Sequence, residues 1–144
     1  MVTQNAIADQ ARLYIGTPFR HQGRSRIGGL DCVGLLVRIA KDLKLSEYDF
    51  SIYSAEPNPA QFMEIARACP DIERVNLKDR KIGDFLTISL PKYPCHVAII
   101  SFQSTSEERM IHAWAGAGAV TEHRLDEFWF SRVRECYRFK GVEA

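Results

Sequence analysis

A chain of 144 residues, 46% hydrophobic and 26% charged, has enough apolar side chain for one buried core, and this balance excludes a fibrous or disordered class. The formal net charge of +1 gives no global attraction to nucleic acid or to an acidic membrane, and no apolar run approaches the roughly 18–20 residues of a membrane-spanning helix. The expectation is one domain over residues 1–144, with no nucleic-acid partner and no membrane span. Residues Met1 to Gln10 lack the charged start and apolar core of a signal peptide, so synthesis in the cytoplasm is expected.

In chain order, the first predicted helix covers residues 4–15, capped by Thr3 and stopped by Gly16 with Pro18 beyond; Ile7, Ala11 and Tyr14 share one face. Residues 16–31 read as a loop. A central helix over 32–44 follows, with Leu35, Leu36, Ile39 and Leu43 at helical spacing and Arg38, Lys41, Asp42 and Lys44 marking where it emerges. Residues 45–58, with Tyr48, Phe50, Tyr53 and Pro57, read as an ordered loop wrapped over the body. Asn58 before Pro59 is a helix start, and Phe62, Ile65, Ala66 and Cys69 give that helix an apolar face ended by Pro70.

From residue 82 the pattern changes to short β-prone runs over 85–90, 97–102, 109–114, 119–122 and 132–139, with Ala115-Gly116-Ala117-Gly118 as a hairpin turn. A helical first half followed by an antiparallel second half predicts an α+β fold. There is no internal repeat or low-complexity segment. Cysteines occur at 32, 69, 95 and 136 without a Cys-x-x-Cys pair, so a disulfide framework is not expected; Cys69 and Cys136 read as small buried side chains.

The chemistry concentrates at Gly28-Gly29-Leu30-Asp31-Cys32-Val33-Gly34. Asp31 is a good N-cap, because its carboxylate accepts from orphan N–H groups one turn on. Cys32 then sits in the first helical turn, where the helix dipole favours thiolate over thiol. His96 and His112 lie in strand-like segments downstream. A helix-borne cysteine facing a strand-borne histidine, with a third polar group behind it, suits nucleophilic hydrolysis. A cysteine in a buried helix and a histidine at a strand entrance also have plain packing readings. His123, in the polar run Thr121 to Arg124, reads as exposed, and Arg132, Arg134 and Arg138 read as a solvated basic stripe.

Five spaced segments, Tyr14 to Gly23 (YIGTPFRHQG), Leu30 to Leu35 (LDCVGL), Gly83 to Leu86, His96 to Ile99 and Ile111 to Ala113, resemble in order the NlpC-type family of papain-like cysteine peptidases that cut bacterial cell-wall peptides. The form TPFRHQG with DCVGL is most similar to the branch encoded in phage tail and gene-transfer-agent modules. The resemblance spans roughly residues 10–139. It implies a papain-like fold in which the cysteine helix packs on an antiparallel sheet of about five strands, with Cys32 as nucleophile, His96 as base and His112 as the residue orienting it. It also implies substrate contacts by Asp31, Phe19 and His21, no cofactor, and a peptidoglycan stem peptide as partner. The bond cut would be one such as D-glutamyl–diaminopimelate. Phage tail proteins would be further partners, and a virion or lysis would deliver the protein to the wall.

Phe19 departs from the family's usual Tyr and loses a hydroxyl near the nucleophile, Val33 replaces the widespread Ser, and His21-Gln22 replaces Trp-Gly. Two other readings stand beside the peptidase: a structural tail protein with a weak or silent site, and a zinc hydrolase using Cys95, His96, His112 or His123, whose spacing matches no standard zinc motif.

Overall fold

Thr3 opens the fold as a helix cap. Its hydroxyl accepts from the Ala6 N–H at 3.1 Å and starts α1 (Gln4–Arg12), which buries Ile7, Ala8 and Ala11. The helix ends three residues earlier than its apolar spacing suggests, because Leu13 to Gly16 tighten into turns; Tyr14 is still buried. The computed structural model describes residues 1–49, 59–92 and 95–144, so most of the expected loop 45–58, including the Asn58 cap, lies outside the described residues.

The segment before Cys32 is more ordered than a plain loop. It contains a two-stranded ribbon, β1 (Arg24–Ser25) and β2 (Gly29–Leu30), and Leu30 also bridges to Phe19. Helix α2 (Cys32–Asp42) then runs beneath this ribbon. The contact is possible because position 34 is glycine: a Cβ there would stand 2.0 Å from the Gly23 carbonyl oxygen. Helix α3 (Pro59–Ala68) leads to β3 (Ile72–Val75).

The remaining strands are β4 (Phe85–Ile88), β5 (His96–Gln103), β6 (Glu108–Trp114), β7 (Ala119–Arg124) and β8 (Val133–Phe139), with a short helix α4 (Glu127–Phe130) before the last. They form one antiparallel sheet in the order β3-β8-β4-β5-β6-β7. The sheet has six strands among the described residues, where five are expected. The sixth, β3, is an edge strand whose two central residues, Glu73 and Arg74, are exposed, so it carries little apolar signal.

Alternation of side chains divides the core into two layers. Phe85, Ile99, Ile111, Ala113, Tyr137 and Phe139 pack towards α1, α2 and α3. Leu86, Ile88, Ala98, Ile100 and Met110 pack on the opposite face, which Leu125 and Trp129 of the α4 segment close. The α+β arrangement expected from the sequence is therefore present.

The expected arginine stripe on β8 is not. A bulge opposite Thr87 and Ile88 interrupts the alternation at Arg134, Arg132 lies over the Phe128 ring, and Arg138 turns inward to bind the fully buried Asp84 through two bonds of 2.8 Å. Cys69 and Cys136 are buried, and none of the four cysteines is in a disulfide. Among the described residues no helix is long and apolar enough to cross a membrane.

Candidate active site

Local chemistry sets the start of α2. One oxygen of Asp31 accepts from the Gly34 N–H at 2.7 Å and from Arg24 at 3.2 Å, and the other accepts from the Gln22 N–H at 2.8 Å. Asp31 is thus a buried cap that also anchors the preceding loop, with Gln22 held in the left-handed region at φ +57°.

Cys32 follows and meets the edge of β5. Ile100 bonds the backbone of Gly83 and Asp84 beside β4, so even-numbered residues of this part of β5 face β4 and odd-numbered ones face β6. The β5–β6 ladder begins only at Ile99 opposite Ile111, which leaves the edge at residues 95–97 to another partner. The Cys32 sulphur takes that place. It donates towards the Cys95 carbonyl at 3.9 Å and lies near the Val97 N–H. His96 is the residue between these two contacts.

His96 opens β5 and is buried at 4% exposure. Its Nε2 lies 2.5 Å from Nδ1 of His112, a fully buried residue of β6. The two rings meet edge to face, and Trp129 of α4 packs over His112 with ring centres 5.0 Å apart. The structure thus joins the His96 and His112 rings, 16 residues apart in the chain, and sets the Cys32 sulphur against the backbone on either side of His96.

The electrostatics of the resting site are those of a neutral, half-buried thiol and a neutral, buried imidazole. Burial pushes the Cys32 thiol up to about 12, and the Asp31 carboxylate adds to the rise. The N–H groups of Val97, Val33 and Cys32 act in the opposite direction, so the expected pull of the helix start towards thiolate is present and is outweighed by desolvation. Burial also depresses His96 to about 3 and His112 to about 2, with repulsion from neighbouring histidines adding to both.

The expected substrate contacts are placed unevenly. Phe19 is half-buried and paired to Leu30, two residues before Cys32, and its N–H donates to the Gly118 carbonyl at 2.8 Å. His21 is exposed in the turn beyond it. A cleft of 420 Å³ reaches Cys95 between α3 and the sheet, lined by Phe62, Met63, Thr87, Ser89 and the exposed Arg134.

Two residues of the cluster escape the sequence reading. His123 is half-buried rather than exposed, and its Nε2 stands 2.7 Å from Nε2 of His112. The available signal is register: Thr121 pairs with His112, so His123 is its diagonal neighbour on the same face. Trp129 sits on a four-residue helix, too short to show a period, although its cap, Asp126 accepting from the Trp129 N–H at 3.2 Å, follows the usual rule. Nε2 of His96 and both ring nitrogens of His112 and of His123 each face another ring nitrogen or a carbonyl. Among the described residues no group of three His, Cys, Asp or Glu side chains is placed to hold a metal ion.

The fold is similar to that of the NlpC/P60 domains. The NlpC/p60 domain of the peptidoglycan hydrolase SagA superposes with a TM-score of 0.61 at 22% identity, over 94% of this chain and 97% of that one. A lipoprotein-like NLP/P60 family protein from Staphylococcus aureus subsp. aureus Mu50 gives 0.65 at 20% identity over 98% of this chain, and NlpC2 from Trichomonas vaginalis gives 0.68 at 15% over 94%. The chain spans nearly all of the SagA domain but only 42% and 46% of the other two proteins. No protein-family model matches the sequence, and no curated protein does. What is shared at this level of identity is the fold.

Proposed function

We propose that this protein is a peptidoglycan hydrolase in which Cys32 is the nucleophile, His96 the general base and His112 the residue that orients it. The observation that carries the proposal is the sulphur of Cys32, set by the Asp31-capped helix start against the edge of β5 on either side of His96, whose ring is bound to His112. Sγ attacks an amide carbonyl of a stem peptide and forms a carbon–sulphur bond while its proton passes to His96. Collapse breaks the C–N bond, and His96 returns the proton to the leaving amine. A water deprotonated by His96 then cleaves the thioester and restores the thiol. The backbone N–H of Cys32 is the proposed oxyanion donor.

The resting pair is neutral, so proton transfer accompanies attack. The finer assignment is the bond between D-glutamate and a diamino acid such as diaminopimelate, with the protein carried to the wall by a phage tail. The SagA domain, a peptidoglycan hydrolase on the same fold, supports the substrate class, and Arg134 gives the cleft a cation for an anionic peptide.

A second reading, a structural or assembly tail protein with a silent site, is favoured by two observations: burial holds the Cys32 thiol far above the usual range, and Phe19 has no hydroxyl. Digestion of purified peptidoglycan by the wild type and Cys32→Ala, with fragments read by mass spectrometry, separates the two. Truncated stem peptides from the wild type alone are expected. No fragments from either protein, on walls of several chemotypes, would give the site to the second reading.

A further inference from the structure

The chain of rings does not stop at His112. Nδ1 of His123 meets the backbone carbonyl oxygen of Arg124 at 2.8 Å, and its Nε2 meets Nε2 of His112 at 2.7 Å. A carbonyl oxygen only accepts, so His123 carries a proton on Nδ1 and, when neutral, offers the lone pair of Nε2. Burial keeps His112 and His96 neutral, so each has one N–H and one lone pair. His112 must fill the His123 lone pair with Nε2–H, which leaves its Nδ1 as acceptor. His96 must then place its proton on Nε2 to bond His112 at 2.5 Å. What remains is a bare lone pair on Nδ1 of His96, the state that a base for the Cys32 proton requires.

We propose that His123, anchored on the Arg124 carbonyl, fixes the tautomer of His96 through His112 and is a positioning residue for the base. Trp129 holds the three rings in line, with its ring 5.0 Å from His112, 5.1 Å from His123 and 6.3 Å from His96. The register of β6 and β7 supplies the spacing, since His123 pairs with Met110 and stands diagonal to His112. The inference rests on the reading of His96 as base, but its test does not need turnover.

In ¹⁵N-labelled protein at pH 7.5, long-range ¹H–¹⁵N spectra report which ring nitrogen is protonated. The expected assignment is Nε2–H for His96 and His112 and Nδ1–H for His123. His123→Leu removes the acceptor and should leave His96 in mixed tautomers. His123→Gln restores an acceptor oxygen near the position of Nε2 and should return His96 to Nε2–H. With peptidoglycan fragments as substrate, kcat in His123→Leu should fall by on the order of 10²-fold with KM little changed, less than the roughly 10⁴-fold cost of a fully wrong tautomer, and His123→Gln should recover most of it. A wild-type His96 protonated on Nδ1, or an unchanged His96 tautomer in folded His123→Leu, overturns the proposal. Wild type with the expected tautomers and no digestion would instead count against the peptidase.

Discussion

Two neutral histidines inside a sheet make this protein sensitive to acid. In the unfolded chain both take a proton near the ordinary value of 6.5; in the fold His96 resists until about 3 and His112 until about 2. Well above pH 6.5 both states are neutral and nothing changes. Below it the unfolded chain binds protons that the folded one refuses, so stability falls as pH falls, by about 1.4 kcal/mol per pH unit for each histidine, until the folded values are reached. The free energy of urea unfolding should therefore drop by about 3 kcal/mol between pH 6.5 and 5 from these two residues. A flat profile over that range would mean that both are solvated or charged in the fold. At this scale the sequence showed what is local. Asp31 caps Cys32 within three residues, and an alternating strand places His112 beside Met110 and Trp114. It did not show His123, whose partner is set by pairing across a hairpin, nor the strength of burial around Cys32, which depends on a β5 edge far along the chain.

At the scale of the element, the start of α2 carries two roles that one substitution can separate. Asp31→Ala removes the acceptor for Gly34 and strands the Gln22 N–H, and should cost about 1–3 kcal/mol, read as a lower urea midpoint. Asp31→Asn keeps one acceptor oxygen and should lose less stability. If peptidoglycan cleavage falls far more in Asp31→Asn than stability does, the carboxylate also binds the substrate amine; if the two fall together, Asp31 is a cap alone. The helices and the long strands were legible because each shows one apolar face over several residues. The ribbon β1–β2, the edge strand β3 and α4 were not, since two to four residues are too few to show a period.

The whole molecule is tied by one buried carboxylate. Asp84, just before β4, receives two bonds from Arg138 of β8, one from Gln4 of α1 at 2.8 Å and one from the Lys81 N–H at 2.8 Å. Arg138→Leu leaves that charge inside without its cation and should cost about 3–5 kcal/mol. Asp84→Asn added to Arg138→Leu should recover part of the loss, measured as the midpoint of thermal unfolding; no recovery would mean that the arginine acts by packing alone.

The same strand has another consequence through its place in the sheet. β8 lies between β3 and β4, although it is the last of the three to be synthesised. Until the ribosome has passed Phe139, β3 has no neighbour and β4 has a bare edge, and the buried surroundings of Cys32 and His96 cannot be complete. A cell making this chain therefore meets a nascent polypeptide in which the proposed nucleophile and base are unassembled, and the proposed chemistry can begin only after β8 has threaded into the middle of the sheet.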